Sequence, residues 1–419
     1  MMSSSSTTAP RLNRTICMNV CQAQYYILIH PAAQFRMVLD MVIMKYPELF
    51  PVEITNGYKM KDIRFSKKLK LKIRRIVIAG VSYTIRPSFA MPYMSGLVKD
   101  VEKPLFLRKF AVPFWALSYC FGKNSMYWYR LEASLGRHSL VGTTIKSPDT
   151  LPQHVSADEK HTRLLGEKTY IATTAGENCI LGASVSETAS GKDLQKAYGV
   201  FKEEAECINP GYQPETVNTD GWRSTQKAWR KLFPKITVLS CFLHIYIGIR
   251  DRSRKKYKEH FLDMATRLWD CFRAESKGAF SQSVRRLSEH CQNTQNEIPD
   301  VISAKIKKLK DNLPQFSEAY DFPDAHRTSN MVDRLMQRMD RHLFSTKYFH
   351  GTMKSANLSI RAWALIQNFA PLNPWTVKQK GHVSSFERVN GFQYHENWLQ
   401  NLLISASLGG LRTGPPNPL

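Results

Sequence analysis

The chain is poor in acidic residues. Its 419 residues carry 35 Asp and Glu against 59 Lys and Arg, a formal net charge of +24. An imbalance of that size attracts polyanions, nucleic acid being the commonest and an anionic membrane surface the rival. Long apolar runs are missing as well. No uninterrupted stretch reaches the ~18–20 residues of a transmembrane helix, so no membrane span is expected. Arg11 and Arg14 precede a stretch that Asn19, Gln22 and Gln24 interrupt, which does not read as a secretory signal. The cysteine spacing of a zinc module is absent too. Eight cysteines are scattered, Cys17 and Cys21 are the closest pair, and no CxxC…CxxC pattern occurs. That spacing argues against structural zinc and for reduced thiols in an intracellular protein. No internal repeat or long low-complexity tract is visible.

Enough remains to build a core. Hydrophobic residues make up 43% of the chain, and the length suits two or three domains. Met1–Pro10 is Ser/Thr-rich and reads as disordered. A helix is expected at Pro31–Lys45. A basic run follows from Lys59 to Arg75, in which only Asp62 offsets the cations. Leu69-Lys70-Leu71-Lys72-Ile73 alternates with period two, as in a half-exposed strand. The run reads as a phosphate-contacting arm, the alternative being a solvated charged face.

From Leu105 to Gly136 the pattern is helical and split. Pro113 can open a first helix over Phe114–Phe121, Gly122 breaks it, and Asn124 or Ser125 can cap a second over Met126–Leu135. Helix, short glycine turn, helix is the helix-turn-helix plan for DNA binding. Lys123, Asn124, Tyr127 and Arg130 are the DNA-facing candidates, and Trp115, Phe121 and Trp128 are expected in the core.

Past Leu151 strands dominate: His154–Ala157, Lys168–Thr174 and Cys179–Val185. A helix at Lys192–Cys207, a strand at Glu215–Thr219, a helix at Thr225–Leu232 and a strand at Ile236–Phe242 come next. Three strands, helix, strand, helix, strand is the order of a ribonuclease H-like fold. The expected class is therefore α/β, a ribonuclease H-like mixed sheet with a helical insertion, preceded by a mostly helical DNA-binding region. The divisions are a basic region at 1–104, the helix-turn-helix-like region at 105–150, and the first part of the catalytic core at 151–248. The helical insertion at 249–325, the core's C-terminal helices at 326–370 and a polar tail at 371–419 complete the chain.

Three acids stand in distinctive settings. Asp158 and Asp220 are at the ends of expected strands, and Asp333 is near the start of a helix that Thr328-Ser329-Asn330 can cap. Phosphodiester chemistry asks a protein mainly to place two divalent cations about 3.5–4 Å apart. Hard Mg²⁺ favours carboxylate oxygens, so three converging acids would suit it. Asp340, on the same helix as Asp333, and Glu159, beside Asp158, are lesser candidates.

The words around these acids resemble those of the DDE-type transposases of prokaryotic insertion sequences and Mutator-like elements. Asp220-Gly221-Trp222, Ala228-Trp229, Leu232-Phe233-Pro234 and Cys241-Phe242-Leu243-His244 carry the likeness, with Thr328-Ser329-Asn330-Met331-Val332-Asp333 in place of a Thr-(Ser)-Asn-x-x-Glu word. The likeness covers roughly Leu105 to Phe369. The departure is Asp333, one methylene shorter than the family's glutamate. The resemblance implies that Asp158, Asp220 and Asp333 bind two Mg²⁺ (or Mn²⁺) ions and that Cys241 and His244 support them. Arg250, Arg252 and Arg254 would line DNA.

The activity so implied is metal-dependent cleavage at element ends followed by strand transfer into target DNA, with no covalent protein–DNA intermediate. Partners would be the terminal inverted repeats and target duplex, held by a homodimer or larger assembly with no membrane association, in a cytoplasmic, nucleoid-associated setting. The alternatives are a ribonuclease H-like nuclease that does not join strands and a catalytically inactive DNA-binding relative.

Overall fold

The protein is described by a computed structural model covering residues 13–253, 255, 257–293, 298–328 and 330–411, without the side chains of 252, 253 and 330. The N-terminal part contains a four-stranded sheet, of which the sequence pattern announces only the strand at Leu69–Ile73, overlapping the third strand from Leu71. Its strands are β1 (Thr15–Met18), β2 (Lys59–Ser66), β3 (Leu71–Ile78) and β4 (Val81–Pro87), in the order β1-β4-β3-β2. Helices α1 (Gln22–Leu28) and α2 (Ala32–Lys45) connect β1 to β2. The region ahead of the second sheet is thus mixed, not mostly helical. The basic run is a β2–β3 hairpin in which Lys67–Lys70 form the turn and Leu71, Ile76 and Ile78 are buried. Ala79 and Gly80, both at positive φ, make the tight β3–β4 turn that a right-twisted hairpin prefers. Arg74 is buried from this sheet and donates from Nη2 to the carbonyls of Ile29 and His30 at the end of α1.

Three helices follow: α3 (Val98–Arg108), α4 (Phe114–Phe121) and α5 (Ser125–Leu135), with the short α6 (Leu140–Thr144) after them. The split at Gly122 is where the sequence places it, and Asn124 caps α5 by accepting from the Tyr127 N–H at 2.7 Å. The core assignment holds for Trp128 alone. Trp115 is 69% and Phe121 41% exposed, because α4 is apolar all round and only its Leu117 face packs inward.

The second sheet has five strands: β5 (His154–Leu164), β6 (Glu167–Gly176), β7 (Cys179–Ser186), β8 (Thr216–Thr219) and β9 (Thr237–Ser240). Their order is β7-β6-β5-β8-β9, an antiparallel meander with β8 and β9 added parallel to β5. Helices α7 (Gly191–Glu206) and α8 (Arg223–Leu232) cover one face, where Phe201, Trp229 and Phe233 pack on Val155, Ala157 and Val217. After β9 come α9 (Phe242–Ser253), α10 (Lys258–Phe272), α11 (Lys277–Asn293), α12 (Asp300–Asp311) and α13 (Leu313–Ser317). They share a core of their own, so the helical insertion begins at Phe242, seven residues before the expected Ile249.

The other face of the sheet is covered by α14 (Asn330–Ser345) and α15 (Met353–Phe369). From Ala356 on, α15 is buried along most of its length, packing on β7, α5, α3 and the later α18. Helices α16 (Pro374–Lys380), α17 (Ser385–Asn390) and α18 (Trp398–Ser405) complete the chain. The segment read as a polar tail returns to the core: Leu399, Leu402 and Ile404 are buried, and Ser407 Oγ accepts from the Cys17 N–H at 3.0 Å. The two sheets therefore share one core through α15 and α18.

Gly136 marks how tightly α5 meets α15. A Cβ there would lie 1.9 Å from the Leu358 carbonyl oxygen, a clash with backbone that no rotamer relieves. We expect Gly136→Ala to lower stability by about 1–3 kcal/mol, the usual cost of overpacking, as a reduced urea midpoint. An unchanged midpoint would show that the two helices separate freely.

Candidate metal and phosphodiester site

The parallel pairing of β5 and β8 builds the site. Ser156 lies opposite Asn218 in the last pair between the two strands, and Asp158 and Asp220 each follow two residues further along the chain. Asp158 is in the middle of β5 and not at its end, because β5 continues beside β6 to Leu164. Asp220 follows the last residue of β8, as expected. Its Oδ1 accepts from the Trp222 N–H at 2.8 Å, and Gly221 at φ +88° turns the chain into α8. Strand alternation sends Asp158 to the α14 face and Glu159 to the α7/α8 face.

Asp333 lies in the first turn of α14. Of the capping word before it, Ser329 and the Asn330 side chain lie outside the described residues. The loop leading into α14 is fixed from the sheet: Asn218 Nδ2 donates to the His326 carbonyl at 2.8 Å, and Arg327 O accepts from the Phe242 N–H at 3.2 Å. His244 enters from the first turn of α9. Cys241, just before that helix, is buried and donates its N–H to Thr219 O at 2.8 Å, tying the start of α9 to the end of β8.

The groups that come within ligating reach of each other are Asp158, His244 and Asp333, whose ligand atoms all lie within 4.8 Å of one another. The set differs from the expected trio of carboxylates. A histidine expected only to assist stands among the donors, and Asp220 sits beside them. Of the charges acting on Asp158, that of Asp220 is the strongest. Burial first, then the Asp220 charge, push the Asp158 carboxyl up to about 6, opposed by the Glu159 N–H it accepts and by His244. Burial would lower the His244 pKa, but hydrogen bonding and charge from Cys241 and the charges of Asp158 and Asp220 raise it to about 9.

A divalent cation fits this donor set. Two carboxylates and an imidazole suit Mg²⁺ through oxygen and Mn²⁺ through oxygen and nitrogen. Among the described residues His244 Nδ1 is buried without a hydrogen-bond partner, and loss of the imidazolium proton would leave it a lone pair for a cation. Like-charged carboxylates brought together out of water are also what a cation relieves. Binding must displace the His244 proton, so it weakens as pH falls.

The lesser candidates are engaged elsewhere. Asp340 pairs with Lys160 Nζ at 2.6 Å, fastening α14 to β5. Glu159 accepts from Thr225 Oγ1 at 2.5 Å and Tyr198 Oη at 2.8 Å beneath α7 and α8. Sequence reasoning passed over Asn218 and Lys160, which hold the loop before α14 and α14 itself. Their only signal was position, two residues before Asp220 and two after Asp158.

Of the DNA-facing candidates, Lys123, Asn124 and Arg130 are exposed. Asn124 is taken up as the α5 cap, and the Tyr127 hydroxyl donates to Ser95 O at 2.7 Å. Arg250 pairs with the neighbouring Asp251 at 2.8 Å. The side chain of Arg252 and the whole of Arg254 lie outside the described residues. Among the described residues no helix is long and apolar enough to cross a membrane.

Buried Glu159, His138 and His342 and half-buried Asp158 contribute to the pH response with opposing signs. Burial, tempered by hydrogen bonds from Thr225 and Tyr198, pushes Glu159 up to about 7, and Asp158 stands at about 6. Raised carboxyls contribute stability that is full in acid and is lost as pH rises through those values. Burial, then Arg86, Arg361 and Arg137, hold His138 down at about 3; burial and Arg108 hold His342 well below its ordinary value. These histidines contribute stability that is full above about 6.5 and is lost as pH falls. Glu159→Gln removes one carboxyl arm, so its urea-unfolding free energy should fall from pH 7 to 5 by about 2 kcal/mol more than wild type. Parallel pH profiles would overturn this assignment.

No known family model matches the chain, and no curated protein matches it in sequence.

Proposed function

We propose that the chain is a DNA transposase that cuts DNA at the ends of a mobile element and joins the freed 3′-OH to target DNA. The observation that carries this reading is the convergence of Asp158, Asp333 and His244 within 4.8 Å, with the Asp220 charge acting on Asp158, in a chain of net charge +24. The meander followed by two parallel strands supports a ribonuclease H-like core. The helical insertion between Asp220 and Asp333 supports the transposase form of it.

In the first reaction a water oxygen attacks phosphorus and the element's 3′ oxygen leaves with a proton. In the second, that 3′-OH attacks a target phosphodiester, forming one P–O bond, breaking another and releasing a target 3′-OH. Divalent cations held by Asp158, Asp333 and His244, with Asp220 adjoining, would supply Lewis-acid stabilisation of the attacking and leaving oxygens. Asn218 and Lys160 keep α14, and with it Asp333, against the two strands. The His244 ring, anchored by Cys241 beside it, meets the carboxylates from the start of α9.

The test is incubation of the full chain with plasmid DNA in Mg²⁺, in Mn²⁺ and in EDTA, with pre-cut 3′-OH duplexes supplied as donors. Metal-dependent nicking together with joined products supports the transposase. Nicking without joining supports the nuclease alternative, and no reaction with either metal supports the inactive relative.

A further inference from the structure

Helix α8 has one face in the core and the other covered with cations. Thr225, Gln226, Ala228 and Trp229 are buried, whereas Arg223, Lys227, Arg230 and Lys231 are exposed. The spacing i, i+4, i+7, i+8 places them along one side of the helix. Beside α8 runs α7, whose N-terminal Lys192 joins Lys227, Arg230 and Lys231 around an open cleft of about 530 Å³. Among the described residues none of these cations lies in a salt bridge. Three of the four carboxylates of α7 have partners of their own: Asp193 accepts from Thr188 Oγ1, Glu204 pairs with Arg361, and Glu206 with Lys202. The positive charge of α8 is therefore not neutralised by ion pairing within the described fold.

We propose that this face of α8, with Lys192, is a track for the phosphate backbone of a nucleic-acid strand leading away from the acidic site. The proposal rests on the reading of that site as one that processes phosphodiesters. Three features select this ligand. Arg223 is three residues past Asp220, so the row of cations starts within one helical turn of that carboxylate along the chain. From Arg223 to Lys231 the helix rises about 12 Å, the axial length of three to four nucleotides at ~3.4 Å each. A small anion would use one end of such a row, while a strand uses all of it. No large apolar side chain is exposed on α7 or α8, which leaves nothing to insert into a lipid surface.

The charged face makes no core contact, so it can be changed without unfolding the protein. The test compares wild type with the triple variant Lys227→Ala, Arg230→Ala, Lys231→Ala, using fluorescence anisotropy on an end-labelled 40-bp duplex over a KCl series. The triple variant should keep the wild-type thermal midpoint and bind about 10–100-fold more weakly at ~100 mM salt. Its slope of log K against log[KCl] should be shallower by about 2–3, near 0.9 for each phosphate that the variant no longer neutralises. A wild type that binds the duplex while the variant matches it in affinity and slope overturns the track and leaves the proposed activity standing. A wild type that binds no duplex overturns both. Binding of wild type to phosphatidylserine vesicles in preference to the duplex would assign the face to a membrane and overturn the track.

Discussion

Asp158→Asn should abolish metal-dependent DNA cleavage and, in the same protein, raise thermal stability measured in EDTA. Removing a carboxylate from the cluster with Asp333 and His244 forfeits several kcal/mol of transition-state stabilisation, about 10³-fold or more in single-turnover rate. The stability effect has the opposite sign. Above pH 7 the metal-free protein holds Asp158 ionised against burial and against the Asp220 charge, which raise its carboxyl to about 6 from 3.8. A neutral amide of the same shape relieves a penalty of about 1–3 kcal/mol. Activity that disappears while stability rises cannot come from unfolding, so the pair of measurements separates a chemical role from a structural one. Asp220→Asn should follow the same pattern in activity. A variant that still cleaves, or one in which activity and stability fall together, would remove Asp158 from the site.

How much of this was legible in the sequence depended on how local each signal was. Asp220 was found by its neighbours: a strand, a glycine turn and a helix lie within a few residues, so the order of types reports the geometry. Asp158 was placed on the right strand at the wrong point. Glu159, Lys160, His161 and Arg163 look like the start of a polar loop, yet backbone pairing with β6 carries β5 to Leu164. Of the N-terminal sheet only the alternation at Leu69–Ile73, overlapping β3, was legible, and the rest was hidden for the same reason on a longer scale. β1 is short and pairs in parallel with β4, so its partner lies far along the chain, with two helices between. Composition there reports charge, and the charge hid the other strands. The exposure of Trp115 and Phe121 is a different failure: a helix apolar on every side offers no periodicity to choose a face. His244 was visible as half of a Cys-x-x-His word, but its place among the ligand atoms comes from the angle at which α9 leaves β9, which no local pattern encodes.

Glu132→Gln should destabilise the protein by about 3–5 kcal/mol, the largest stability loss we expect from an isosteric change. Glu132 on α5 and Arg108 on α3 are both buried and pair at 2.5 Å between Nε and Oε2. The same guanidinium donates to Val112 O, lies 4.0 Å from the Phe114 ring centroid, and meets His342 Nδ1 at 3.2 Å. One charge pair therefore joins α3, α5 and α14 inside the core. Removing only the negative partner leaves a guanidinium with no counter-charge and no water, which is why the loss is large. Removing both charges with Arg108→Met and Glu132→Leu should restore most of that stability, since the desolvation of two ions disappears with their attraction. Recovery should stop short of complete, because His342 keeps a buried Nδ1 with no donor. The double variant then gives the pair its role. His342 is nine residues along α14 from Asp333, about two and a half turns. If stability returns but cleavage stays at least tenfold low, the Arg108–His342 contact sets the position of the third acid. If both return, the pair serves the fold alone, and Asn218 and Lys160 suffice to hold Asp333 in place.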